Sequence, residues 1–119
     1  MEAMTERQGP YLCGIDAAMD VAGGKWKALI LWDLDTHGTR RFGALRRGLP
    51  GVSEKVLIAQ LRELEQDEIV HREVFAEVPP RVEYSLTPFG VELNAALAPL
   101  GAWGRARMRR LGTEPLHGD

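Results

Sequence analysis

The chain is expected to fold as a mainly α-helical α+β domain with one small β-hairpin, and three observations lead there. Apolar residues recur at helical spacing in successive segments between Leu12 and Gln66, a Pro50-Gly51 corner interrupts them, and from Ile69 to Leu86 the period drops to two before a last helical run. The 119 residues, 45% apolar and 27% charged, leave room for one globular core and no second domain of ordinary size.

Each element has its own signal. Leu12, Ile15, Ala18, Met19 and Ala22 define a first helix that Gly23-Gly24 stops. A second covers Lys25 to Leu34 with Trp26, Leu29, Ile30 and Leu34 on one side, and Gly38 closes the turn that follows. Thr39 is placed to cap a short third helix through Arg47 that buries Phe42 and Leu45 and ends at Gly48. Ser53 caps a fourth that reaches about Gln66, with Leu57, Leu61 and Leu64 as its buried stripe. At 100° per residue, Lys55, Ala59, Arg62 and Gln66 then fall opposite the core, with Ile58 and Glu63 on the flanks. Val70, Arg72 and Val74 share one side of a first strand; Val82, Tyr84 and Leu86 alternate with Glu83 and Ser85 in a second; Pro79-Pro80 stiffen the tip between them. Thr87-Pro88 reads as an N-cap followed by proline at the first helical position, opening a last helix whose stripe is Leu93, Leu97, Leu100 and Trp103 and which Pro99 is expected to kink. Polar tails are expected at residues 1–10 and 112–119, around a single domain at 11–111. Helices joined by a tight corner and followed by a hairpin make a winged helix-turn-helix, in which the second helix of the pair enters the major groove of double-stranded DNA.

The net charge of −2 hides an uneven distribution. Residues 25–62 hold eight basic and three acidic side chains, whereas residues 63–95 hold two basic and eight acidic ones. A basic block over the helix pair is the footprint of a DNA-binding element, and a solvated helix face gives the same count. No apolar run approaches the roughly 20 residues of a membrane-spanning helix, and Met1 to Pro10 lacks an apolar signal-peptide core, so a cytoplasmic, nucleoid-associated protein without membrane contact is expected. A single cysteine, Cys13, excludes an internal disulfide and paired-cysteine zinc sites. His37, His71 and His117 lack partners at ligand spacing, so no metal is expected and no cofactor either. No nucleophile–base pair or phosphate-cradling glycine loop is present, which argues against an enzyme.

The residues themselves resemble the HxlR family of bacterial winged helix-turn-helix transcriptional regulators, which are MarR-like. The likeness rests on Cys13 ahead of a helix, on Gly23-Gly24-Lys25-Trp26 with Ile30-Leu31-Trp32-Asp33-Leu34, and on Arg41-Phe42-Gly43-Ala44-Leu45-Arg46-Arg47. It continues through Leu49-Pro50-Gly51-Val52-Ser53-Glu54-Lys55-Val56-Leu57, Leu61-Arg62-Glu63-Leu64-Glu65 and Pro79-Pro80-Arg81-Val82-Glu83-Tyr84-Ser85-Leu86-Thr87. The resemblance implies a homodimer, built from the first and last helices, on a partly palindromic operator. Leu12, Ile15, Met19, Leu93, Leu97, Leu100 and Trp103 are the expected dimer residues. This chain departs from the family pattern at Gly14, where a proline is usual, and at Ile58, where Thr or Ser is frequent.

The expected DNA contacts are Ser53, Glu54, Lys55, Ile58, Ala59 and Arg62 on the recognition helix, since an arginine holds a guanine edge and small apolar groups suit a thymine methyl. Arg40, Arg41, Arg46 and Arg47 on the preceding helix are expected at phosphates, and Arg81 at the backbone or minor groove beside the wing. The bland alternative for Arg81 is a salt bridge to Glu77 or Glu83. For Cys13 two readings stand level. A helix start favours a redox-sensing thiolate, while Asp16 three residues on offers a carboxylate to the same N–H groups and opposes it. The expected function is a repressor that acts as a homodimer and answers either thiol-reactive stress or a small apolar effector. The competing reading is a winged-helix protein-contact module that does not bind DNA.

Overall fold

A computed structural model describes residues 8–116, so the expectations for residues 1–7 and for His117 lie outside the described residues. The described chain forms α1 (Gly14–Ala22), α2 (Lys25–His37), β1 (Arg40–Arg41), α3 (Phe42–Gly48), α4 (Glu54–Gln66), β2 (Val70–Phe75), β3 (Arg81–Leu86) and α5 (Pro88–Leu111). The strands make an antiparallel sheet of order β1-β3-β2, with Val70 opposite Leu86 and Phe75 opposite Arg81.

The two-stranded hairpin of the sequence reading is thus a three-stranded sheet. Arg40 pairs with Tyr84 and Arg41 with Glu83, so the third helix begins at Phe42 with Arg41 as its N-cap, and Thr39 caps nothing. A two-residue strand has no periodicity to read; what creates it is the open edge of β3 lying beside the chain as it leaves α2.

The core lies where α2, α4 and the sheet converge. Ile30, Leu31 and Leu34 of α2, Leu45 of α3, Leu57, Leu61 and Leu64 of α4, and Val70 and Tyr84 of the strands form one buried cluster with Leu49, Val52 and Ile69. At about 25 cal/mol per Å² of apolar surface, each fully buried Leu or Ile contributes roughly 1.5–3 kcal/mol, which makes this cluster the main fastening of α4. Val21, Trp26, Leu93 and Leu97 pack against its edge.

Both ends of α4 are closed by side-chain or backbone capping. Ser53 Oγ accepts the Val56 N–H at 3.1 Å. At the other end Glu68, at φ 64°, takes the left-handed position of a Schellman turn, in which the Ile69 N–H donates to the Leu64 carbonyl and the Glu68 N–H to the Glu65 carbonyl. Thr87 joins this turn to α5: its hydroxyl donates to the Glu68 carbonyl at 2.6 Å and accepts the Gly90 N–H at 2.9 Å. Gly90 is required there, because a Cβ would stand 2.1 Å from the Ile69 carbonyl oxygen. The last helix runs through Pro99 for 24 residues and ends on Gly112 in the left-handed region.

Candidate nucleic-acid interface

The apolar stripe of α4 is wholly buried, which turns its opposite face outward. Ser53, Glu54, Lys55, Ala59 and Arg62 are exposed and Ile58 is half-buried. Lys55 and Arg62 have no ion-pair partner among the described residues, and neither do Arg41 and Arg47, which are also exposed. Arg46 lies 3.6 Å from Glu54 in a solvent-exposed pair that links α3 to the first turn of α4. The expected α4 contacts therefore share one surface, which Arg46 borders through Glu54.

Two expected contacts are placed differently. Arg40 faces inward: its Nε donates to Asp33 Oδ1 at 3.0 Å and its Nη2 to the Ala44 carbonyl at 3.1 Å, with Asp33 completely buried. Its charge is thereby committed to an internal carboxylate, because a buried ionised group without a partner costs several kcal/mol. Arg81 does not project from the hairpin tip. Its guanidinium lies 4.0 Å from the centre of the Phe75 ring, 3.0 Å from Glu77 and, at Nε, 3.5 Å from Glu83. The salt-bridge alternative for Arg81 is the arrangement found, since strand pairing sets Arg81 directly across from Phe75.

Two charges on α2 escaped the sequence reading. Lys27 is buried and its Nζ donates to Glu63 Oε1 on α4, while Asp33 holds Arg40. The Asp33 carboxylate also explains Gly48, where a Cβ would stand 2.4 Å from Asp33 Oδ2. The signal was available: two charges inside the otherwise apolar run Trp26 to Leu34 require buried partners.

Cys13 is exposed, in extended backbone at the N-cap of α1, and its side chain makes no capping hydrogen bond. Asp16 Oδ2 instead accepts the Leu12 N–H at 2.9 Å. Of the expected dimer residues, Leu12, Ile15, Met19, Leu100 and Trp103 are exposed, Trp103 at 65%. Leu93 and Leu97 differ, being packed against the chain's own core. A cleft of about 700 Å³ opens beside the contact of α2 with α5, lined among others by Trp26, Leu29, Trp32, Leu49, Leu97 and Leu100. Among the described residues no cluster of His, Cys, Asp or Glu could hold a metal ion, and no helix is long and apolar enough to cross a membrane.

Comparison with known proteins agrees with this architecture. A family model described as HxlR-like helix-turn-helix matches residues 21–111. The HTH-type transcriptional regulator YybR of Bacillus subtilis (strain 168) is 45% identical over 107 residues, which span 87% of this chain and 85% of that protein. The solved structure of the redox regulator HypR in its reduced form superposes with a TM-score of 0.77 at 42% identity, covering 84% of this chain and 98% of that one. Diamide-treated YodB from B. subtilis gives a TM-score of 0.68 at 35% identity over 87% of this chain and 98% of that one. These relatives are regulators rather than enzymes, and the chain belongs to the HxlR-like helix-turn-helix family of transcriptional regulators.

Proposed function

We propose that the protein is a homodimeric repressor that binds double-stranded DNA through α4 and acts in the cytoplasm, at the nucleoid. The observation that carries this reading is the outward face of α4, where Lys55, Ala59 and Arg62 project from a helix fastened by Leu57, Leu61 and Leu64. Arg62 is assigned to a guanine edge, Ala59 to a thymine methyl, and Ser53, Arg41, Arg46 and Arg47 to phosphates. Arg40 and Arg81 are left out of the contact set, because both are engaged within the chain.

The exposed apolar faces of α1 and α5 support the dimer, since Leu12, Ile15, Met19, Leu100 and Trp103 are surface that a second copy would take out of water. A two-fold axis then sets two copies of α4 into major grooves about one turn (~34 Å) apart on a partly palindromic operator, and occupancy excludes polymerase. Two signals can move those helices. One is a small apolar effector in the cleft between α2 and α5, which borders Leu49 and Pro50 just ahead of α4. The other is oxidation of the exposed Cys13, in keeping with HypR, described as a redox regulator.

The test is a gel shift of the purified protein on the duplex flanking its own gene, across a salt series. Tight, salt-sensitive and sequence-selective retention is the expected outcome. Weak, equal retention on every duplex would sink the DNA reading. Diamide should abolish operator binding by the wild type and spare Cys13→Ser; equal loss in both would remove Cys13 as the sensor.

A further inference from the structure

We propose that Lys27, on α2, is a positioning residue for DNA recognition: through Glu63 it sets the rotation of α4 about its own axis, and with it the direction in which Arg62 points. The inference rests on the DNA-binding reading of α4.

The apolar stripe of Leu57, Leu61 and Leu64 holds α4 onto the core without direction, because apolar packing is roughly proportional to area and tolerates small rolls of a helix. A hydrogen-bonded ion pair is directional. Lys27 is buried in the α2 surface, and its ammonium reaches Glu63 Oε1 on one flank of α4. Arg62, the adjacent residue, lies about 100° around the helix, on the exposed face. At a side-chain radius of ~6 Å, a roll of ~10° displaces a side chain by ~1 Å. That exceeds the half-ångström window within which a hydrogen bond to a base edge keeps its strength. Phosphate contacts made by flexible, exposed Arg41 and Arg47 tolerate the same shift. Loss of the pair is therefore a loss of selectivity rather than of attraction to DNA.

Stability separates this role from a merely structural one. Lys27→Met puts apolar volume at the buried end of the pair, and the Glu63 side chain, 33% exposed, keeps access to water, so the loss is smaller than for stranding a fully buried carboxylate. Lys27→Met should thus remain folded, with a modest loss of stability, and recognise its operator less well.

The experiment begins with the wild-type protein and a pool of random duplexes, from which the preferred site is selected. If the wild type selects no sequence, the DNA-binding reading fails, and the positioning role falls with it. Given a selected site, the ratio of its affinity to that of an unrelated duplex is measured for wild type, Lys27→Met and Lys27→Arg, with urea unfolding alongside. The ratio should fall about tenfold in Lys27→Met, with unchanged salt slope on unrelated DNA and a retained cooperative urea transition, and recover in Lys27→Arg. A wild-type ratio in folded Lys27→Met would overturn the proposal. Should Lys27→Met not fold, Lys27→Met combined with Glu63→Leu decides: it exchanges the whole pair for apolar volume, and a ratio reduced severalfold supports the role while an unchanged ratio ends it.

Discussion

Arg62 of helix α4 and Arg81 of the hairpin are the same kind of cation and are treated in opposite ways. On α4, Lys55 and Arg62 stand in solvent with no ion-pair partner among the described residues, and Ile58 and Ala59 lie between them on that face. On the wing, strand pairing brings Arg81 against Phe75 and between Glu77 and Glu83, and the charge is consumed locally. Basic residues counted along the chain therefore overstate the positive surface; what matters is which element displays each one. Arg40 makes the same point within the helix-turn-helix, since its guanidinium holds the buried Asp33 while its neighbour Arg41 is exposed.

The largest effect expected from this contrast is on stability. Arg40→Ala leaves the Asp33 carboxylate buried without its partner and should cost about 3–5 kcal/mol, read as a lower urea midpoint at unchanged slope. Arg81→Ala removes a partly exposed pair and a ring contact and should cost about 1 kcal/mol or less. Equal losses would mean that the wing is as integral to the fold as the Asp33 site. In DNA binding the order reverses. Arg62→Ala should lose about 1–3 kcal/mol on the operator and relax selectivity at one base pair, whereas Arg81→Ala should leave the gel shift nearly unchanged. A strong loss with Arg81→Ala would show that the wing arginine leaves its carboxylates for the DNA backbone.

Smaller effects sharpen the picture. Ser53→Ala removes the cap on α4 and should cost about 1 kcal/mol of stability, with a further loss of affinity only if the hydroxyl also touches a phosphate. Arg41→Ala should weaken binding to all duplexes alike and reduce the slope of log affinity against log salt by about one. A sequence-dependent loss in Arg41→Ala would move it from phosphate contact to base readout.

Much of this arrangement was legible in the residues. The α4 stripe, its Ser53 cap and its outward face follow from spacing and the preference of serine for N-caps, and each stands where the periodicity put it. The Thr87-Pro88 start of α5 was equally plain, because proline at the first helical position loses no hydrogen bond. Helix α2 was read less well. It is buried on more than one side, so Leu31 lies in the core beside Ile30 and the helical period that exposes one face is blurred. Strand β1 left no mark, since Arg40-Arg41 pairs only because β3 offers an edge there.

What the sequence by itself determined is the five helices and the hairpin, their order, the Ser53 and Thr87 caps and the buried stripe of α4, because these depend on neighbours within about one helical turn or one strand repeat. Only the tertiary structure decided which charges are spent. Lys27 meets Glu63 36 residues away, whereas Arg40 meets Asp33 seven residues away across the turn after α2. Whether an arginine faces solvent or a buried carboxylate depends on where the fold brings the nearest opposite charge, and no local pattern encodes that distance.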